Sequence, residues 1–380
     1  MRINLISLAK DGNDKRGWSG TPYMVMKSLQ SKGHKVHVMN FMPDSCPVLH
    51  RVVIKLFRCM SALTGKQYLY WFTDMFQKSL KRKYAKLNVP ECDLTFVVGQ
   101  SFFIPPMLPS KTPLVYLCDA TFSAVENYYP EFSDLFSTVS RQGNRICRKA
   151  LNGCSRIIMS SEWAKRHAVE DYGISPDKIE VVEFGANLEN PMMGRIVKNY
   201  AGKKKFRILF SGVHWKRKGG DVAVECCDEL IRLGHDVELI VAGVDVPASC
   251  QRDYIRPVGF LNKNVEKEYK EYVKIMEEAD FLLFPSHAEC SAIALCEAAG
   301  FALPVFAYRT GGLENYVSDG YDGFLLPESS RGKEFAQKID EAIVKGLLND
   351  MSANAAELYG RKLNWNTWAQ RVDEIIDCKR

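Results

Sequence analysis

Short apolar runs and amphipathic stretches take turns along this chain in two successive series, and that alternation narrows the fold more than any single residue does. The first series opens with a strand over Arg2–Leu8, a glycine-containing loop, and a helix predicted over Thr21–Lys32 and closed by Gly33. Lys35–Asn40, Leu94–Val98, Leu114–Cys118, Ile157–Ser160 and Ile179–Val182 read as further strands, with a helix at Glu162–Tyr172 ending at Gly173. The second series restarts at Phe206–Ser211, after which Gly219-Gly220 opens a helix running to about Leu233. Glu238–Ala242, Phe281–Phe284, Val305–Ala307 and Gly323–Leu326 follow as strands. Parallel neighbours need a crossover between them, so this order predicts parallel sheets covered on both faces. The expected class is α/β, with two doubly wound Rossmann-like domains facing a cleft. The seam falls near 190–205, where Asn190-Pro191, Gly194 and Ala201–Lys205 carry turn and charge signals. Domains are therefore expected at 1–195 and 196–362. A C-terminal helix over 363–380, amphipathic from Trp365 to Ile376, is expected to cross between them.

With 380 residues, 46% hydrophobic and 25% charged, the chain suits a globular protein of two domains. Met1–Leu8 starts directly as a strand, with an apolar part too short for a signal peptide. Twelve cysteines without a CxxC pair argue against a zinc site or a disulfide framework, and a reducing cytosol is the expectation. Charge is uneven: residues 1–100 hold sixteen Lys and Arg against six Asp and Glu, a local net of +10. Much of it lies in Arg51–Arg58 and Lys78–Lys86. These stretches are either solvated faces of two helices or a basic, partly apolar surface for an anionic membrane or an anionic acceptor. No nucleic-acid motif accompanies the charge, so nucleic acid is not expected as a partner.

Three segments stand out as chemistry. Ligands of doubly wound sheets bind beyond the carboxyl ends of strands, and each of the three segments follows a strand. In Ser211–Gly220, three consecutive cations, Lys216, Arg217 and Lys218, precede two glycines at a helix start, where amides and the helix dipole favour phosphate. A solvated turn is the alternative. Near the N-terminus, Gly17 and Gly20 permit close backbone approach, Thr21 suits a helix cap, and Pro22 suits the first turn. In the third segment Glu289 and Glu297 stand eight residues apart, separated by small and apolar residues. If helical, that spacing puts their Cα atoms roughly 12 Å apart, too far for a shared proton but suited to two hydroxyl-bearing ends of an extended ligand. The alternative is one dipole partner and one solvated side chain. Cys290–Tyr308 carries a single charge, Glu297, yet Gly300 and Pro304 break it into a helix, a turn and a strand rather than a membrane span.

Taken in order, these residues resemble a GT-B-fold glycosyltransferase of the retaining family 4 type, over nearly the whole chain. The resemblance rests on Glu289 and Glu297, Leu303-Pro304-Val305, Gly311-Gly312, Asp319-Gly320 with Gly323, and Arg217–Gly220. Ser161–Ala164, Phe184–Asn187, Ser19–Pro22 and Trp365 with Trp368 also fit. It implies that Glu289 binds donor-sugar hydroxyls and Glu297 the nucleotide ribose, while Lys218 and Arg217 hold the diphosphate. It further implies that amides of Ser291, Ala292 and Ile293 and the Gly17–Gly20 loop complete the phosphate cradle, and that Gly259 and Phe260 lodge the base. Three departures stand out. Val213 replaces an arginine that usually follows the glycine, Cys290-Ser291-Ala292 replaces a usual Phe-Gly pair, and the usual N-domain histidine is replaced by Asp119 or Thr121.

The implied reaction is retaining transfer of a hexose from a nucleoside diphosphate sugar to a saccharide, lipid-linked or other hydroxyl acceptor. No cofactor or metal is expected. A sugar-nucleotide epimerase on the same fold, or a non-catalytic sugar-nucleotide-binding scaffold, are the alternatives.

Overall fold

The computed structural model describes residues 1–7, 12–15, 17–40, 46–86, 88–99, 112–190 and 192–377. Leu8, Pro191 and residues 378–380, which figure in the expectations above, lie outside them. The chain divides into two compact units: Met1–Gly17, Thr21–Val182 and Ala369–Arg380 form unit 1, and Trp18–Gly20 with Glu183–Trp368 form unit 2.

Unit 1 runs β1 (Arg2–Ser7), α1 (Thr21–Ser31), β2 (Lys35–Asn40), α2 (Val48–Thr64), α3 (Asp74–Tyr84), β3 (Leu94–Val98) and β4 (Leu114–Cys118). It continues with α4 (Phe122–Val125), α5 (Ser137–Gly153), β5 (Arg156–Met159), α6 (Glu162–Tyr172) and β6 (Ile179–Val181). Its six strands are all parallel, in the order β2-β1-β3-β4-β5-β6. Strands β3 and β4 are buried on both faces, so they read as unbroken apolar runs rather than alternating ones. Ser161 accepts the Ala164 amide to start α6, and Gly173 ends it in the left-handed conformation.

Helix α2 carries apolar residues on both sides. Its inner side includes His50 and Phe57, whose ring stacks on Tyr68 with centroids 4.0 Å apart. On the solvent side Leu49, Val52, Leu56 and Leu63 form one stripe at helical spacing, each between 59% and 87% exposed. Arg51, Lys55 and Arg58 flank that stripe. In α3, Lys81, Arg82 and Lys83 occupy the last turn, where the carbonyl end of the helix favours cations.

Unit 2 runs β7 (Lys205–Ser211), α7 (Gly220–Arg232), β8 (Asp236–Ala242), β9 (Ile255–Gly259), α8 (Glu266–Glu278) and β10 (Phe281–Phe284). After these come α9 (Ile293–Gly300), β11 (Val305–Tyr308), β12 (Gly323–Leu326), α10 (Gly332–Val344) and α11 (Leu348–Arg361). The parallel strands lie in the order β12-β11-β10-β7-β8-β9. Successive strand residues alternate between the two faces. Leu209, Ile240, Leu282 and Val305 pack with α8, α9 and α11, whereas Ile208, Phe210, Leu239 and Leu283 pack with α7 and α10. The sequence reading did not assign β9 as a strand. It is a partly exposed edge strand containing Arg256-Pro257, and proline is tolerated where one side of a strand pairs with nothing. Each of the two units is thus built on a six-stranded parallel α/β sheet.

The chain passes between units at Val182–Glu183, and the turn-rich stretch 190–205 lies inside unit 2, where Gly194 N donates to Gly300 O and Lys198 N to Ser352 Oγ. Helix α12 (Trp365–Asp377) begins with unit 2 through Trp368 and continues with unit 1 from Ala369. Trp365 Nε1 donates to Asn187 Oδ1 at 2.9 Å in unit 2, and Arg371 donates to the Val181 carbonyl at 2.7 Å in unit 1. Among the described residues no helix is long and apolar enough to cross a membrane. The apolar run 290–308 is instead a loop, α9, a turn with Ala302 at φ +56, and β11.

Asp319-Gly320 and Gly323 serve the fold. Asp319 accepts the Leu325 amide at 2.9 Å and pairs with Arg309, and Gly320 turns at φ +77. A Cβ on Gly323 would stand 2.1 Å from the Val305 carbonyl oxygen, so β12 can lie against β11 only with glycine there. Between them Asp322 is buried and accepts the Ser318 amide at 2.7 Å, and burial raises its carboxyl from 3.8 to about 6. The folded state thus binds more protons than the unfolded one between about pH 4 and 6, so stability falls as pH rises through that window. Asp322→Asn keeps the acceptor and removes the charge. Thermal melts at pH 7.5 should show it more stable than the wild type by on the order of 2 kcal/mol, with the advantage vanishing near pH 4. An equal destabilisation at both pH values would contradict this account.

Candidate functional site

The strand order of unit 2 reverses between β7 and β10, since the chain builds outward from β7 on one side and resumes at β10 on the other. Loops leaving the carboxyl ends of two such strands diverge and leave room for a ligand. Here those loops are 212–219 and 285–292, and they carry the residues singled out in the sequence.

Gly219 brings the two loops together. It adopts φ +75, and a Cβ there would stand 2.0 Å from the Pro285 carbonyl oxygen. The His287 amide donates to Arg217 O at 2.9 Å, which ties the loops a second time. Trp215 Nε1 donates to Asp221 Oδ1 at 2.8 Å, and Lys216 pairs with the other oxygen of the same carboxylate. Lys216 is therefore held outward at the surface, leaving Arg217 and Lys218 to turn inward.

Three donors converge on one oxygen of the buried Glu289. Arg217 Nη1 lies 3.2 Å from Oε1, Ser286 Oγ lies 2.6 Å from it, and Lys218 Nζ is bonded to it as well. Arg217 Nη1 also donates to Ala288 O at 2.8 Å, and Lys218 Nζ lies over the Phe284 ring, 4.6 Å from its centroid. The Gly312 amide donates to Glu289 O at 3.1 Å, which gives the Gly311-Gly312 turn its place. Burial pushes the Lys218 ammonium below its ordinary range and Arg217 adds to this, while the Glu289 carboxylate opposes it. Two cations and one carboxylate leave the cluster with a net positive charge, the sign suited to a ligand of more than one negative charge.

Glu289 is not on a helix. It lies in the loop after β10, and α9 begins only at Ile293, so the helical separation of about 12 Å between Glu289 and Glu297 does not apply. The loop form follows from Pro285, from the Ser286 contact with Glu289 within the segment, and from the Arg217 and Gly312 contacts, which hold 285–289 to neighbouring loops. Ser291 and Ala292 lead into α9, with Ala292 at its N-cap and Ile293 as its first residue. Glu297, in the middle of α9, is 2% exposed. Its Oε2 accepts the Tyr272 hydroxyl at 2.8 Å and its Oε1 pairs with Lys263.

Gly259 closes β9 at φ +74, and its carbonyl accepts the Gly243 amide at 2.8 Å. The neighbouring Phe260 ring is 64% exposed. Gly17 and Gly20 bound a short turn in which Trp18 and Ser19 both adopt positive φ, +47 and +56, a strained form for residues with a Cβ. Within unit 2, Asn187 Nδ2 donates to Ser19 O at 2.8 Å and Trp18 packs edge-on to Phe184 at 5.5 Å, which holds that turn. Asp119 follows β4 in unit 1, and Thr121 is buried as the cap of α4, accepting the Ala124 amide. Of the expected residues, Arg217, Lys218 and Glu289 therefore form one cluster in unit 2, and Asp119 belongs to unit 1.

Sequence reading missed Ser286, Lys263 and Tyr272. Lys263 sits in Asn262–Lys267, where surrounding polar residues and charges hide it, and no local pattern marks a serine three residues before Glu289.

Comparison with known proteins bears on the fold and the family. The Glycosyltransferase Family 4 model matches residues 22–190, and the Glycosyl transferases group 1 model matches residues 196–358. The D-inositol 3-phosphate glycosyltransferase of Corynebacterium aurimucosum is 26% identical over 283 residues, covering 69% of this chain and 65% of that protein. The chain thus spans just under two thirds of that relative's length. Among solved structures, a sucrose-phosphate synthase from Thermosynechococcus elongatus superposes with a TM-score of 0.65 at 14% identity, covering 99% of this chain and 98% of that one. The Anabaena protein HepE, solved in complex with UDP and glucose, superposes with a TM-score of 0.63 at 16% identity and full coverage of both chains, 100% each. Two family models that together run from residue 22 to residue 358, over a fold shared along the whole length, make the chain a member of the glycosyltransferases of the group 1 and family 4 type.

Proposed function

We propose that the protein transfers a hexose from a nucleoside diphosphate sugar to an acceptor hydroxyl, with retention at the anomeric carbon. The observation that carries this reading is the meeting of Arg217 and Lys218 with Glu289 where the strand order of unit 2 reverses. In the reaction the bond from the anomeric carbon to the diphosphate breaks, the acceptor oxygen forms the new bond, and the acceptor's proton passes to the departing diphosphate. Positive charge builds at the sugar and negative charge at the leaving diphosphate. Lys218 and Arg217, with the amides of Ser291, Ala292 and Ile293 at the head of α9 and those of the Gly17–Gly20 turn, stabilise the departing anion by fixed charges and dipoles. Glu289 accepts hydroxyls of the donor sugar, which orients the anomeric carbon. Glu297 holds the ribose, Gly259 and Phe260 the base, and Asp119 contributes from unit 1, which takes the acceptor. Because the two cations neutralise the leaving group, no metal is required. HepE was solved with UDP and glucose, which makes a UDP-sugar the first donor to test.

One observation favours a second reading. Val213, 55% exposed, stands where the family usually has arginine, so a non-catalytic sugar-nucleotide binder would also use Arg217 and Lys218 alone.

Unit 1 supports a proposal about the acceptor side. The outward stripe of Leu49, Val52, Leu56 and Leu63, flanked by Arg51, Lys55 and Arg58, suits an anionic lipid surface, where leucines enter the interface and cations meet headgroups.

Two measurements test these proposals. Glu289→Ala and Lys218→Ala should each lower kcat/KM for transfer by roughly a hundredfold or more, with circular dichroism unchanged and EDTA without effect on the wild type. Full activity in either variant would sink the assignment. The protein should sediment with phosphatidylglycerol vesicles and not with phosphatidylcholine vesicles, and Leu56→Glu with Leu63→Glu should abolish that. Sedimentation of the double variant at the wild-type level would remove α2 from the account.

A further inference from the structure

Glu297 does not stand alone. Its two carboxylate oxygens have separate partners: Lys263 Nζ on Oε1 and the Tyr272 hydroxyl on Oε2, the latter at 2.8 Å. Lys263 also lies over the Tyr272 ring, 4.7 Å from its centroid, so the three side chains form one closed group. Burial, and then the neighbouring Glu297 carboxylate, push the Tyr272 phenol above its ordinary range, which keeps its O–H as the donor in this contact. A carboxylate as buried as Glu297 needs a cation beside it, and Lys263 supplies it.

Where Lys263 comes from matters. It lies between β9 and α8, three positions after Phe260, in a turn fixed by Asn262: the Asn264 amide donates to Asn262 Oδ1 at 3.0 Å and the Val265 amide to Asn262 O at 2.8 Å. Its side chain keeps 20% exposure, whereas Glu297 keeps 2%. The ammonium is thus the more accessible member of the pair, and it caps the carboxylate from the loop that also presents Phe260. An ammonium has three N–H donors, and a carboxylate accepts along several directions. Side by side they present a donor and an acceptor to a vicinal diol, each hydroxyl of which can donate and accept.

We propose that Lys263 is a ribose-binding residue: its ammonium donates to one hydroxyl oxygen of the nucleotide's vicinal diol while Glu297 accepts from the other. The pair, rather than Glu297 alone, then distinguishes ribonucleotides from deoxyribonucleotides, because an analogue lacking one hydroxyl forfeits a charge-assisted hydrogen bond to the pair. This rests on the nucleotide-sugar reading of the site, and it assigns a specificity-determining role to a residue outside the motifs that carry the family resemblance.

Calorimetric titration of UDP, 2′-deoxy-UDP, GDP and 2′-deoxy-GDP into the wild type, Lys263→Met and Lys263→Arg tests it. The wild type should bind one ribonucleotide roughly tenfold or more tightly than its deoxy form. In Lys263→Met the ribonucleotide should weaken by about that factor while the deoxy form changes little, so the ratio collapses, and Lys263→Arg should keep it. If Lys263→Met does not fold by thermal melt, Lys263→Gln replaces it: its neutral amide still partners Glu297 but is a weaker donor to a hydroxyl than an ammonium, so the ratio should fall, and an unchanged ratio counts against the proposal as before. Equal weakening of both nucleotides, or an unchanged ratio, overturns the proposal and reduces Lys263 to a support for α9. Binding of none of the four by the folded wild type overturns the nucleotide reading itself.

Discussion

Gly219 lies against the carbonyl of Pro285 at a distance no residue with a Cβ could reach in the same backbone form. The meeting of Arg217 and Lys218 with Glu289 depends on that approach. It draws the loop after β7 onto the loop after β10, so that two cations from the first reach a carboxylate from the second. Each loop alone would be an ordinary polar turn at the end of a strand. Joined, they form a charged and largely buried cluster, which proteins seldom keep unless each charge is partnered.

The same logic explains why Glu289 has three donors on one oxygen. Arg217 and Lys218 are mostly removed from water, and the carboxylate offsets the penalty of holding them close together. A diphosphate brings negative charge of its own. In the proposed reaction the cations shift toward it while Glu289 turns to sugar hydroxyls, so that the cluster seen here would be the resting arrangement of that site. Glu297 is partnered in the same way, with Lys263 and Tyr272 in the partner roles.

Much of the fold was legible because buried parallel strands are nearly continuous apolar runs: β3, β4, β10 and β12 were readable to the residue. β9 was not, since an edge strand with Arg256-Pro257 has no such run. The site was legible as residue types in loops after strands, but not as geometry. Nothing in Lys216-Arg217-Lys218 says that Asp221 will hold the first cation outward. Pro285 is the one local sign that Glu289 lies in a loop rather than on α9; the other contacts that fix it come from residues 217 and 312, away from it in sequence. Asp319-Gly320 and Gly323 illustrate the converse: residues that support the family resemblance are occupied with joining β11 to β12.

Donor turnover without acceptor tests the central claim most directly. The protein would be incubated with a panel of UDP- and GDP-sugars and the products followed by proton NMR. The account predicts slow release of free sugar and nucleoside diphosphate from one donor, with the first-formed sugar carrying the anomeric configuration of that donor. An epimerised sugar nucleotide, or an inert panel that the protein also fails to bind, would contradict it.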